Sequence, residues 1–364
     1  MKKTNKSIYI LIGTRPNFIK VTRFKELGEA KGMEIKIIHT GQHFDANMAD
    51  VFFTQFGLQP DYFLNVGGQT PNSQIANIIL KLEELFNEKG KPDLFIVPGD
   101  VNSTMAGAIA ANKLGVKLAH LESGLRSYDK KMPEEHNRII TDNLSDICFI
   151  TEPSGVENLK NENIAAKVEY VGNTMIDTLV HFELQIEASD VLERYGVDKG
   201  NYHLLTFHRP SNVDSIEELQ VLIDIIKTVA KFGKMVLPLH PRTRNKLNDF
   251  GLLAELENMN DLILTGPIGY FEFQKLIKYA KVVLTDSGGI QEETTFRQVP
   301  CLTLRENTER PVTITEGTNT LVPINAVAVQ KHLKLIESGN YKKGSVPYLW
   351  DGKATERILD IVSV

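Results

Sequence analysis

Short apolar runs recur along this chain at intervals too wide for hairpins, with amphipathic stretches between them. That alternation limits the fold more than any other feature. In the first half the strand-like runs are Ser7 to Ile12, Glu34 to His39, Leu94 to Val97, Lys117 to His120 and Ile147 to Ile150. Stretches of helical period, such as Ser73 to Leu85 and Met105 to Leu114, fall between them. Strands covered on both faces read as continuous apolar runs, and parallel neighbours need a crossover, usually helical. The pattern predicts a mostly parallel sheet with helices on both faces. Met175 to Tyr195 then reads as polar and helical, and the alternation restarts at His203 to Phe207, Met235 to Leu239, Leu262 to Leu264, Val282 to Leu284 and Pro300 to Leu304. Two open α/β domains are therefore expected, at 1–173 and 174–349. An amphipathic helix in 350–364 is expected to pack back on the first. A chain of 364 residues is long enough for both.

Composition narrows the class. The net charge of −5, with no basic block, argues against nucleic acid as a partner. No apolar run is long enough to span a bilayer. The opening MKKTNKSIYILIG imitates a signal peptide but runs into Thr14-Arg15-Pro16 without a small-residue cleavage site, so it is read as strand one preceded by a tip. Cys148 and Cys301 sit in apolar runs and read as buried thiols. A cytoplasmic protein is the resulting expectation.

In open parallel sheets, ligands bind beyond the carboxyl ends of the strands. Motifs fall at those places. Gly13-Thr14-Arg15-Pro16-Asn17-Phe18-Ile19-Lys20 puts two cations at the start of a helix, where the dipole disfavours them unless an anion compensates. Thr40-Gly41-Gln42-His43-Phe44-Asp45 is a polar loop with a cap-like aspartate. Asp100 follows the run Leu94 to Val97, and Glu122 follows Lys117 to His120. Glu134 and Glu135 follow Pro133 in the first turn of a helix. Each acid has a capping or surface reading, but carboxylates from three loops at one sheet edge suit acid–base work. In the second half, His208 and His240 each follow a strand directly.

The most informative unit is Asp286 to Pro311, DSGGIQEETTFRQVPCLTLRENTERP. It reads as strand, Gly-Gly turn, helix and strand. The first N–H groups of such a helix lack intrahelical partners and favour an anion. Ser287, Gly288 and Gly289 let a phosphate approach, and Arg310 is placed to complete the site. Glu293, a turn further on, suits a sugar diol better than a phosphate. A nucleotide follows, but without GxGxxG a nicotinamide fingerprint is not supported.

Taken in order, GTRPNFIK, TGQH, PGDVNST, HLESGLR, MPEEHNR, VGNT, FHRP, LTDSGGIQEE and ENTERP resemble the UDP-N-acetylglucosamine 2-epimerases over nearly the whole length. The resemblance implies two Rossmann-like domains facing a cleft, in a glycosyltransferase-B-like architecture. It implies Asp100, Glu122 and Glu134 as catalytic carboxylates and His208 at the departing diphosphate. It implies Arg15, Lys20, Ser287, Gly288, Gly289 and Arg310 on UDP, Glu293 on the ribose and Phe273 near the uracil. Ile268 departs from the more polar residue of some members. A second, activating substrate site using Gln42, His43 and His240 is implied for bacterial members, although Gly67 to Asn72 lacks an arginine that some contribute. HTGQHFDANM, KMPEEHNR, LPLHPRTR and GPIGY are closer to enzymes that epimerise UDP-2,3-diacetamido-glucuronate.

The implied reaction is reversible C2 epimerisation of a UDP-N-acetylhexosamine, UDP-GlcNAc to UDP-ManNAc, by elimination and re-addition of UDP. It needs no metal and no redox cofactor. A homodimer, a UDP-sugar partner and a place in polysaccharide biosynthesis are also implied. The rivals are a hydrolysing 2-epimerase, a glycosyltransferase of the same architecture and a non-catalytic sugar-nucleotide sensor.

Overall fold

The computed structural model describes residues 6–41, 55–67, 70–207, 209 and 213–363. It divides into two compact units, Met1–His181 with Tyr348–Val364, and Phe182–Pro347. Each is built on one parallel sheet, and two Rossmann-like units in one chain match the glycosyltransferase-B-like class expected from the sequence.

The first unit contains β1 (Ser7–Ile12), β2 (Glu34–His39), β3 (Tyr62–Phe63), β4 (Leu94–Pro98), β5 (Leu118–Leu121), β6 (Ile147–Ile150) and β7 (Lys167–Tyr170). Their order is β3-β2-β1-β4-β5-β6-β7, with every pair parallel. On one face, Tyr9, Leu11, Phe95 and Val97 pack against Ile78, Leu82 and Phe86 of helix Pro71–Lys89. Chain order reverses between β1 and β4, where a sheet of this kind opens a crevice at its carboxyl edge.

The second unit contains β8 (His203–Thr206), β9 (Met235–Pro238), β10 (Leu262–Thr265), β11 (Val282–Thr285), β12 (Cys301–Thr303) and β13 (Asn319–Leu321). Their order is β10-β9-β8-β11-β12-β13, again all parallel, and the reversal falls between β8 and β11. Leu205, Leu237 and Leu284 share a core with Leu222, Ile226 and Val229 of helix Ile216–Ala230. Cys148 and Cys301 are buried and free. Burial pushes their thiols up to about 12 and about 11, which leaves both unreactive at neutral pH.

The stretch 174–195 forms three short helices, Thr174–His181, Glu183–Ala188 and Val191–Arg194. The first belongs to the first unit. Its Thr178 hydroxyl donates to the Ile19 carbonyl at 2.6 Å and lies 2.5 Å from the Thr22 hydroxyl. The units therefore divide at His181, while the sequence expectation ended the first domain at 173. The chain re-enters the first unit at Tyr348. There Gly172, at φ +89°, lies so close to the returning chain that a Cβ would sit 2.1 Å from the Leu349 carbonyl. Trp350 is buried and donates its indole N–H to Thr151, and helix Ala354–Ser363 follows. Among the described residues no helix is long and apolar enough to cross a membrane.

Candidate active site

At the reversal point of the first sheet, the β1 loop and the β4 loop are tied together by Asn17. Its amide oxygen accepts from the N–H groups of Gly13 and Thr14 and from the Thr14 hydroxyl, and its amide nitrogen donates to the Pro98 carbonyl at 3.0 Å. Helix Arg15–Val21 is thereby fixed against the end of β4. Arg15 is exposed at its start, whereas Lys20 is buried. Lys20 Nζ lies 2.5 Å from Glu122 Oε2, with the two side chains 6% and 3% exposed. Glu122 itself has φ +70°, a left-handed conformation costly for a residue with a side chain.

Asp100 does not cap the following helix. Val101 occupies the N-cap position of helix Asn102–Leu114, and the Asp100 carboxylate pairs with the guanidinium of buried Arg138. The Asp100 carbonyl accepts from Asn137 Nδ2 at 2.8 Å. Both partners lie on helix Pro133–Leu144, whose first turn carries Glu134. The two glutamates of that turn differ. Glu135 is buried and accepts from the N–H and hydroxyl of Ser127 and from the N–H of Tyr128, at 2.8 to 2.9 Å, so it shapes the preceding loop. Glu134 is half-buried.

The same helix reaches the loops from behind. His120 on β5 is fully buried; its Nδ1 lies 2.6 Å from Asp142 and its Nε2 lies 2.7 Å from the Gly99 carbonyl. Burial alone would raise the Asp142 carboxyl, but His120 and Arg126 override it and hold the carboxyl below its ordinary range. Helix Pro133–Leu144 thus braces the Asp100 turn through Arg138 and Asn137. It braces the loop after Glu122 through Asp142, which accepts from the Gly124 N–H at 3.2 Å.

In the second unit, helix Gly288–Arg297 starts directly after β11, at the reversal of that sheet. Ser287 is its N-cap but makes no side-chain capping bond, so the first turn keeps N–H groups for an anion. A Cβ on Gly288 would sit 2.5 Å from Arg310 Nη1 and 2.9 Å from Glu309 Oε1. Arg310 is buried, with Nε 3.1 Å from Glu292 and Nη1 paired with Glu309. Glu293 is buried in the same helix, and Phe273 packs partly buried beside Ile268.

Two further arginines stand here that sequence reasoning missed. Arg209 donates its N–H to the Asp286 carboxylate and its Nε–H to the Asp286 carbonyl. Arg305 is buried and pairs with Glu309 at 3.0 Å. Burial, with Arg209 and Arg310 nearby, pushes the Arg305 guanidinium below its ordinary range despite Glu309. Three guanidinium groups, each tied to a neighbouring acidic residue, gather beside the N-terminus of helix Gly288–Arg297, whose N–H groups favour an anion. Their signal in the sequence was positional, since Arg209 and Arg305 come shortly after β8 and β12.

His240 is exposed and caps helix Pro241–Asp249 by accepting from the Arg242 N–H at 3.2 Å. Gln42, His43 and His208 lie outside the described residues. Among the described residues no cluster of three His, Cys, Asp or Glu is placed to hold a metal ion.

These two sheet edges have known counterparts. The family model for UDP-N-acetylglucosamine 2-epimerase matches residues 25–363. The chain belongs to that family. A UDP-N-acetylglucosamine 2-epimerase of Methanococcus maripaludis is 40% identical over 366 residues, covering 98% of each chain. A UDP-2,3-diacetamido-2,3-dideoxy-D-glucuronate 2-epimerase of Pseudomonas aeruginosa is also 40% identical, over 86% of this chain and 88% of that one. A crystal structure of the Methanocaldococcus jannaschii UDP-GlcNAc 2-epimerase, in complex with UDP-GlcNAc and UDP, superposes with TM-score 0.90. It is 36% identical and spans 98% of this chain and 99% of that one. The chain thus spans nearly the whole length of the Methanococcus and Methanocaldococcus relatives.

Proposed function

We propose that the protein catalyses reversible C2 epimerisation of UDP-GlcNAc to UDP-ManNAc, as a family 2-epimerase, by elimination and re-addition of UDP. The observation that carries the reading is the pair of carboxylates at adjacent strand ends, Asp100 after β4 and Glu122 after β5, each matched with a buried cation. Membership of the family gives the arrangement its reaction. C2–H of an N-acetylhexosamine is not acidic. Breaking the C1–O bond gives oxocarbenium character at C1 and acidifies the neighbouring C–H. A carboxylate takes the C2 proton, the C–H pair becomes the C1=C2 bond of a 2-acetamidoglucal, and UDP leaves with the C1–O pair. Re-addition of UDP with a proton delivered to the opposite face gives the epimer.

Asp100, Glu122 and Glu134 are the candidate proton carriers, and His208 is assigned to the departing diphosphate. The N-terminus of helix Gly288–Arg297, with Ser287, Gly288, Gly289 and Arg310, is assigned to UDP, as are Arg15 and Lys20. Charge-assisted hydrogen bonds of this kind contribute about 1.5–3 kcal/mol each. Glu293 is assigned to the ribose and Phe273 to the uracil. Gln42, His43 and His240 remain the proposed second substrate site. A cytoplasmic homodimer serving polysaccharide biosynthesis is the setting proposed from the same resemblance.

The test is incubation with UDP-GlcNAc alone in deuterated water. Deuterium at C2 and appearance of UDP-ManNAc support the reading. Free N-acetylmannosamine with UDP would replace it by a hydrolysing reaction, and tight binding without exchange by a sensor. A second reading, epimerisation of UDP-2,3-diacetamido-glucuronate, is favoured by the Pseudomonas relative, as identical to this chain as the methanococcal one. Proton NMR on a panel of UDP-sugars separates the two.

A further inference from the structure

We propose that Asn319, on β13, is a positioning residue for the diphosphate of the nucleotide, acting through the backbone of Arg310. This role rests on the UDP reading of the Gly288 turn and deepens it.

Asn319 and Gln291 are both fully buried, on β13 and on helix Gly288–Arg297. Asn319 Nδ2 donates to Gln291 Oε1 and to the Thr313 hydroxyl, each at 3.1 Å, and its Oδ1 accepts from the Thr303 hydroxyl on β12 at 2.6 Å. Gln291 Oε1 also accepts from the Thr308 hydroxyl at 2.7 Å, and its Nε2 donates to the Ser287 carbonyl at 3.2 Å. The two threonines meet Arg310 from either side. Its N–H donates to Thr308 Oγ1 at 3.1 Å, and its carbonyl accepts from the Thr313 hydroxyl at 2.8 Å. Both backbone polar groups of Arg310 are thus bonded to hydroxyls that Gln291 and Asn319 hold in place.

The ion pairs of Arg310 do not place its backbone. Glu309 is the preceding residue and travels with the same loop, so its pairing with Nη1 fixes nothing relative to the sheet. Glu292 meets Nε at 3.1 Å but restrains only the tip of a long side chain. The tolerance is small, because a Cβ on Gly288 would sit 2.5 Å from Nη1, so the guanidinium already lies against the first turn of the helix. A shift of the loop would carry it away from the N–H groups that receive the anion. Asn319 supplies the missing reference. Its backbone pairs in register with Cys301 between β12 and β13, and its side chain spans from Thr303 to Gln291. Donors meet acceptors at every step from Thr303 through Asn319 and Gln291 to Thr308. A buried polar network satisfied in this way holds one arrangement, and removing a member leaves its partners unsatisfied.

The experiment measures UDP affinity by calorimetry and uridine affinity by NMR titration for Asn319→Val and Thr313→Val in the full chain. Valine suits a strand and removes the amide at 319; at 313 it removes one hydroxyl with little change of shape. Asn319→Val is expected to raise the UDP dissociation constant about tenfold or more and to leave that of uridine within about twofold, because uridine has no diphosphate for Arg310 to meet. Thr313→Val should shift UDP the same way by about threefold or more, again with uridine unmoved. In an Arg310→Ala background, Asn319→Val should change UDP affinity by less than about twofold, since its effect passes through that guanidinium. Equal weakening of UDP and uridine, unchanged UDP affinity in both variants, or additive losses with Arg310→Ala each overturn the inference. Should Asn319→Val fail to fold, Thr313→Val decides by the same comparison of UDP with uridine. Wild type that binds UDP no more tightly than uridine overturns the UDP reading of the turn itself, and the role of Asn319 with it.

Discussion

His120 and Asp142 lie 2.6 Å apart in the fully buried interior of the first unit, on β5 and on helix Pro133–Leu144. The other nitrogen of the same ring meets the Gly99 carbonyl, immediately before Asp100. Asp142 in turn accepts from Gly124, two residues after Glu122, and pairs with Arg126 at 2.7 Å. One polar network therefore stands behind both catalytic candidates. Replacing His120 by Ala removes one member of a buried network and should cost roughly 3 kcal/mol or more. His120→Gln, which keeps a donor, should fold better. Its C2 exchange rate is nevertheless expected to fall about 100-fold through displacement of the Asp100 turn, with UDP affinity kept. Denaturant unfolding and exchange NMR check the two parts, and a wild-type rate in His120→Gln would remove the network from the mechanism.

Gly288→Ala tests the close approach at the start of helix Gly288–Arg297. The added methyl would sit 2.5 Å from Arg310 Nη1, inside any real contact distance, and the guanidinium is itself held by Glu292 and Glu309. It cannot step aside without breaking buried ion pairs. We expect UDP affinity to fall at least tenfold, read by calorimetry, with Tm also lowered. Arg310→Ala should weaken UDP binding as well, because the loop after β12 loses its anchor to the helix. Unchanged affinity in both variants would count against an anion site at this turn.

The strands that the sequence revealed and those it concealed differ in one physical respect. β1, β2, β4, β5 and β6 are central or nearly so, and their largely buried residues read as apolar runs. The concealed strands β3, β7 and β13 are sheet edges, whereas β10, the fourth edge, was legible because Leu262-Ile263-Leu264 is an apolar run. Half-solvated edges need no apolar run, and Tyr62-Phe63, Lys167 to Tyr170 and Asn319 to Leu321 have none. The site shows the same division. Asp100, Glu122 and the Gly-Gly turn were legible because they sit at the ends of central strands. Lys20 and Arg310 were legible too, but Arg138, Arg209 and Arg305 were not, because Arg138 approaches Asp100 from a helix further along the chain and Arg305 and Arg209 meet only after folding. Ion pairs between elements have no sequence period to betray them.

The pH dependence of stability has an identifiable contributor in His39. It is buried at the end of β2 and accepts from the Gly41 N–H at 3.0 Å, which requires an unprotonated Nδ1. Burial pushes its imidazole down to about 4. The unfolded chain, with an ordinary imidazole near 6.5, takes up the proton first as pH falls. His39 therefore contributes stability above about pH 6.5 that is lost between there and about pH 4, by up to about 3 kcal/mol. His39→Asn keeps an acceptor for Gly41 and does not titrate. Its unfolding free energy should be flatter over that window than that of wild type, and an identical slope would exclude His39 as the source.

Asp177 offers a separate test of how the chain ends. Its two carboxylate oxygens accept from the N–H groups of Ala354 and Thr355, at 3.0 and 2.6 Å, at the start of helix Ala354–Ser363. A residue of helix Thr174–His181 thus does for a distant helix what an N-cap side chain usually does for its own. Losing a cap costs about 1 kcal/mol, and here the loss also releases the first turn from the body of the unit. Burial raises the Asp177 carboxyl, partly against those same N–H bonds, so some of the gain from capping is offset by desolvation. Asp177→Ala should therefore lower global stability by only about 1 kcal/mol. Amide protection across Ala354–Ser363 should fall much further, because Trp350 and the apolar face of the helix remain docked only while its first turn holds. Hydrogen exchange followed by mass spectrometry reads the two effects separately. Uniform loss of protection over the whole first unit, in place of a local one, would mean that the helix is part of its cooperative core.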